Sequence, residues 1–397
     1  MRRRDFLRSS GTLLAGAWLG GSFLQTADAG LGPVVTGPGP YGDLLPADAN
    51  GIMLPPGFTS RVVATAGEAV PGTSHAWHVF PDGGATFAVG QHWVYVSNSE
   101  FPLIPSGGVG AIRFDRDGNV VDAYSILSGT TQNCAGGATI WGTWLSCEET
   151  PGGTVWECDP LGGPAVQRLA MGRFAHEAVA HDPTDVAVFY LTEDQPDGGF
   201  YRFTADAPPS LASGLLEIAQ VVDDGLGGST VVWHEVPDPN PGGQQTQTRH
   251  QVAEATPFDG GEGIVWARGQ VFFTTKGDGR VWAYDPADAS LRVHYEPASD
   301  PGGQLTGVDN IAVSRWGDLF VAEDGGNMEL VLLSTEGTAS PILRVVGQDH
   351  SELAGPAFDP SGRRLYVSSQ RGGSSGAGIT YEISGPFRLG VGCQASG

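Results

Sequence analysis

Along this chain, apolar and polar residues alternate with a period of two over short stretches, and the stretches end in turn dipeptides such as "DG", "PG" and "GG". That is strand patterning interrupted by hairpins. Six β-rich runs, apolar at first and polar or acidic at their ends, align without gaps: "VYVSNSE" (94–100), "TWLSCEE" (143–149), "FYLTEDQ" (189–195), "VFFTTKG" (271–277), "LFVAEDG" (319–325) and "LYVSSQR" (365–371). Successive starts lie 49, 46, 82, 48 and 46 residues apart. The long interval holds a polar, Gly- and Pro-rich insertion at about 222–256. A repeat of about 45 residues carrying roughly four short strands is the signature of a propeller blade. The pattern therefore predicts an all-β, six-bladed β-propeller, with residues 30–397 as one domain.

Composition agrees with a β-rich chain. Glycine accounts for 61 of 397 residues, and helix-forming runs are scarce. The first residues are different. "RRRDFLRSS" (2–10) precedes a glycine-rich apolar run and the small residues Ala27 to Ala29. These are the charged, apolar and cleavage regions of an export signal, with paired arginines that point to the twin-arginine route. The apolar run is shorter than the ~20 residues a membrane span needs. Residues 1–29 are thus expected to be removed, leaving a periplasmic or extracellular protein without a stable membrane anchor.

The formal net charge is −23. Four arginines and two aspartates leave with the signal, so the mature chain would stand near −25. Such a surface repels nucleic acid, and it repels anionic substrates unless bound cations reverse the local sign. Four cysteines (134, 147, 158 and 393) permit two disulfides without fixing a pairing.

If the aligned segments are the inner strands of the blades, their polar ends meet at one channel mouth. Glu100, Glu148, Glu149, Glu193, Asp194, Glu323 and Asp324 then converge, and unpaired acids raise one another's pKa. Bound cations would relieve that repulsion. Oxygen ligands suit calcium, and a thiolate brings in iron or zinc. Just before these segments stand His78 and Asp82, His176 and Glu177, Glu262 between two glycines, and Asp309 with Asn310. There is no nucleophile elbow, zinc-protease motif or Walker loop.

Together "HVFPDGGATF", "NCAGGATIWGTWLSCEE", "GRFAHEAVAHDP", "YLTEDQPDGGFYRF", "GEGIVWARGQVFFTTKGDGRVWAYD" and "DNIAVSRWGDLFVAEDG" resemble the PhoX-type alkaline phosphatases over nearly the whole mature chain. The resemblance implies an exported propeller that holds Fe3+ and Ca2+ at its channel and hydrolyses small phosphate esters. It implies Cys134 as an iron ligand. Glu149, Glu193, Glu262 and Glu323 are the implied glutamate ligands, with Asp194 and Asp324 beside them. Arg173, Lys276, Arg280 and Arg371 are the basic residues considered for phosphate oxygens. One departure stands out: Gly260 occupies a place where the family often carries a basic residue. The twin-arginine machinery is the expected export partner, and the chain is read as a monomer. A calcium-dependent lactonase or a non-catalytic metal-binding propeller are the other readings of such a channel.

Overall fold

The computed structural model describes residues 33–103, 106–225 and 228–390. The predicted export signal and Cys393 lie outside them. The described residues form an all-β molecule, propeller-like in arrangement, whose helical elements are three single 3₁₀ turns. None of its helices is long and apolar enough to cross a membrane.

Five sheets are formed. Residues 81–130 and 133–167 each make a four-stranded antiparallel meander. A nine-stranded sheet follows and takes in two of the six aligned segments. It is continuous because Ser229–Glu235 pairs with both Ser210–Asp223 and Ser290–Tyr295. The predicted insertion therefore contains a strand, "STVVWHE", whose alternation is ordinary β patterning. Residues 308–345 form the core of a six-stranded sheet extended by two short N-terminal strands. The last sheet is closed by the chain's own beginning, since Thr59–Thr65 pairs antiparallel with Ile379–Ser384. This pairing covers what would otherwise be an open edge.

Six strands that begin these units pack side by side in a ring. They are Pro81–Val89, Asn133–Ala138, His176–His181, Gly261–Ala267, Val308–Val313 and Leu353–Phe358. This corrects one expectation. The aligned segments are not the inner strands but their antiparallel partners, one step farther out. The physical reason is burial. The partner strands are enclosed on both faces and read as strong apolar runs; Val94–Val96 and Leu319–Ala322 are buried throughout. The ring strands are crowded at the axis and use small residues instead. A Cβ on Gly137 would lie 1.8 Å from the carbonyl oxygen of Val179, and one on Gly263 would lie 2.6 Å from the nitrogen of Ile311. Only glycine allows backbones to approach so closely.

The apolar cores lie between neighbouring sheets. Leu145, Cys147 and Val155 pack with Phe189, Leu191, Tyr201 and Phe203. Phe320, Leu330 and Leu332 pack with Leu365, Val367 and Tyr381. Cys134, Cys147 and Cys158 are all buried and free, so no disulfide joins them. Cys147 serves as a small apolar residue of the core.

Candidate metal centre

The ring strands share a local irregularity. In each, the register with the partner strand breaks near the strand's start; in five of them the break spans the strand's second residue, and in Leu353–Phe358 it spans Gly355 and Pro356. A bulge of this kind re-aims a side chain. Those five second residues are Asp82, Cys134, Glu177, Glu262 and Asp309, and all are buried. Glu352, immediately before the sixth strand, joins them. Glu100 and Glu149 come in from just beyond the ends of the partner strands.

The ligand atoms of these residues form three groups, each within 4.8 Å, of which the first two share Glu177: Cys134 with Glu149 and Glu177; Glu177 with Glu262 and Asp309; and Asp82 with Glu100 and Glu352. The Cys134 sulfur lies 3.3 Å from Glu177 Oε1 and 3.6 Å from Asp82 Oδ2, which links the groups into one cluster. Gln370 Nε2 donates to Asp82 and, at 2.8 Å, to Glu100. Asn310 donates to Asp309 Oδ1 at 2.8 Å. The inner wall is braced from outside. Asn98 donates to the carbonyls of Cys134 and Ala135, and receives bonds from Trp144 and Ser146.

Two cations touch these acids. Lys276 Nζ lies 2.6 Å from Glu262, 3.6 Å from Asp194 and 3.7 Å from Asp324. Arg371 lies 2.7 Å from Glu352 and 3.6 Å from Glu100. Seven carboxylic acids and a thiol thus face two positive charges. Burial, reinforced by the neighbouring acids, pushes Asp82, Glu177, Glu262 and Asp309 well above the usual carboxylate range. Glu149 is pushed up to about 9 by burial, then by Glu100 and Asp194. Burial lifts Glu352 to about 7 against the pull of Arg371. The Cys134 thiol is also raised, by burial and then by Asp82 and Glu177. Burial opposes the charge of Lys276, but Glu262, Asp309 and Asp194 outweigh it and hold the ammonium firmly protonated. Without added cations these acids hold their protons to higher pH than free carboxylates do; multivalent cations would displace those protons. The donor set fits such ions. A thiol beside carboxylates suits iron, and the oxygen-only groups suit calcium.

The other sequence-predicted residues are placed elsewhere. Glu193, expected as a ligand, is fully buried but accepts bonds from the Gly199 amide at 3.0 Å and the Tyr201 hydroxyl at 2.7 Å, and pairs with Arg249 at 2.8 Å. Glu323 accepts from the amides of Thr306 and Glu329. Glu148 accepts from the Thr154 amide. All three reach the amide six residues on and close the hairpin that follows their strand. The recurrence of acids at the strand ends is thus partly turn chemistry. Arg280 pairs with Asp278 and Glu296 and stacks on Trp282, so it too is structural. Arg173 lies in a cleft lined also by Pro151, Gly152 and Gln195. Gly260 adopts φ +69°, a left-handed turn whose carbonyl accepts the Lys276 amide. A Cβ there would sit 3.2 Å from Asp194 Oδ1.

Sequence reasoning passed over Glu352; it placed Glu100 among the converging acids and noted Asp82, Glu177 and Asp309, without assigning any of these four to the metal. A usable signal existed, the residue opening the strand before each aligned segment. It was hidden because the intervening hairpins differ in length. Cys134 precedes its segment at Thr143 by nine residues, whereas Asp82 precedes Val94 by twelve.

The family model for the alkaline phosphatase PhoX matches residues 82–157 and 152–373, which includes every residue of the cluster. The chain belongs to the PhoX family. No curated protein sequence matches it. Among solved structures, PhoX of Pseudomonas fluorescens, in complex with the transition-state analogue vanadate, is similar at a TM-score of 0.68 and 18% identity. That match covers 86% of this chain and 97% of the other. A Bacteroides thetaiotaomicron protein of unknown function is similar at a TM-score of 0.51 and 10% identity, over 82% of this chain and 76% of its own. At these identities the likeness speaks for the fold. Phosphatase activity is the property that PhoX membership brings.

Proposed function

We propose that this chain is an exported phosphomonoester hydrolase that works with iron and calcium held by Cys134 and the seven clustered acids. The observation that carries the reading is the convergence of those eight buried or half-buried ligands at one end of the strand ring, in a chain of the PhoX family. The six-fold ring and the division of the nine-stranded sheet at the Ser229–Glu235 junction support a six-bladed count. The "RRRDFL" leader supports twin-arginine export of a protein folded around its metals.

Cys134, Glu149 and Glu177 would hold iron. Asp82, Glu100, Glu352, Glu262 and Asp309 would hold calcium, with Glu177 shared between the two. Once bound, the cations supply the positive charge that a phosphate dianion and its nucleophile require. The chain's own part is orientation and charge placement. Lys276 and Arg371 have side chains 41% and 44% exposed, beside acids that are nearly closed to solvent. Each is placed at the mouth, where its exposed cationic end could donate to phosphate oxygens. Glu193 and Glu323, committed to their hairpins, keep the mouth's turns in place. Asp194 and Asp324 hold Lys276 rather than metal.

The test is metal content together with hydrolysis of p-nitrophenyl phosphate at alkaline pH, with and without calcium and a chelator. Iron and calcium in the purified protein, and activity lost to the chelator and restored by calcium, are the expected results. Turnover by a protein free of both metals would overturn the reading.

A further inference from the structure

Beside the metal cluster, a small cleft of about 40 Å³ is lined by Pro151, Gly152, Arg173, Gln195, Gln247 and Arg249, among others. It adjoins the mouth. Gln195 follows Asp194, which contacts Lys276, and the Pro151–Gly152 turn follows Glu149. The two arginines differ. Arg249 is neutralised twice, by Glu193 and Asp197, each at 2.8 Å. The Arg173 guanidinium has no hydrogen-bond or ion-pair partner among the described residues, although acids outnumber bases 44 to 21 in this chain. Its backbone is nonetheless pinned. The Arg173 amide donates to the Pro239 carbonyl at 2.8 Å, and the Phe174 amide to Gly153 at 3.3 Å. A half-buried, uncommitted guanidinium on a fixed backbone, flanked by two neutral amides, is a receptor for a compact anion.

We infer that Arg173, with Gln195 and Gln247, forms a subsite for a second anionic group on the alcohol side of the substrate, so that the enzyme favours small phosphomonoesters carrying a carboxylate or another phosphate. The inference rests on the phosphatase reading above. Lys276 and Arg371, which touch the cluster acids, meet the phosphate that is cleaved; Arg173, which touches none of them, meets the far end. The size of the cleft limits that group to one of carboxylate or phosphate dimensions. The Gln247–Arg249 segment closes one side of the cleft, so the predicted insertion takes part in substrate choice.

The experiment compares kcat/KM of the metal-loaded enzyme for phosphoglycolate and for ethyl phosphate, which lacks the carboxylate, in the wild type, Arg173→Gln and Arg173→Lys. A bisphosphate of similar length tests the second kind of anion. The wild type should prefer the doubly anionic esters. Arg173→Gln should lower that preference about tenfold or more, mainly through KM, as expected for one charge-assisted contact. Arg173→Lys should retain part of it, and added salt should weaken it in the wild type. An unchanged ratio in Arg173→Gln, with both esters turned over, overturns this inference alone. Absence of turnover of every ester, p-nitrophenyl phosphate included, overturns the phosphatase reading and this inference with it.

Discussion

Cys134 and Glu193 are both buried and both stand at strand ends facing the mouth side, yet their partners separate them. The Cys134 thiol has acids for neighbours, and a metal would relieve it. The Glu193 carboxylate already has Arg249, Tyr201 and Gly199. Cys134→Ser should therefore lose iron, read by elemental analysis, and activity with it, while circular dichroism stays unchanged. Glu193→Gln should behave in the opposite way. It should keep both metals and lose about 2 kcal/mol of stability, since a charged hydrogen-bond acceptor is removed from the partly buried Arg249. Loss of metal from Glu193→Gln at unchanged stability would restore it to the ligand set. Residue type alone could not separate these acids. An acid that closes a turn and an acid that binds a metal look alike in sequence, and the difference lies in the donors the fold brings to each.

At the scale of the strand, the bulge near the start of each ring strand is the device that builds the site. In five of the six strands it turns one side chain toward the mouth, while the strand beyond it resumes regular pairing. The small residues of the same strands let the ring close beneath the cluster. Gly137→Ala should be costly, because its Cβ would meet the Val179 carbonyl at 1.8 Å. A loss of about 2 kcal/mol or more in urea unfolding is expected. The aligned segments were legible because they are sandwiched strands with unbroken apolar patterning. The ring strands were less so. "PDGGATF" and "NCAGGA" read as turn-rich loops until their neighbours are seen to need that little room.

Over the whole molecule, the acid cluster links metal, pH and stability. Glu149 has an ordinary value of 4.5 and is pushed up to about 9 in the metal-free fold, and Glu352 rises from 4.5 to about 7. The folded chain then binds more protons than the unfolded chain between these values, so metal-free stability falls as pH rises through that window. Below about 4.5 the penalty is absent, and above about 9 it is complete for Glu149. Bound cations remove the need for those protons. A chelator should thus lower the melting temperature far more at pH 9 than at pH 6. Equal shifts at the two values would contradict the cluster as the cause.

By itself the sequence determined the β class, the repeat, the family likeness, and Cys134 and Glu149 as residues to examine, because twofold alternation and short motifs are local properties of the chain. Only the tertiary structure decided which strands face the axis, which acids already have donors, and that Asp82, Glu100, Glu177, Asp309 and Glu352 share one cluster. Those facts depend on backbones brought together from residues as far apart as 82 and 352. No local pattern records how far a carboxylate lies from an amide or a lysine on another sheet.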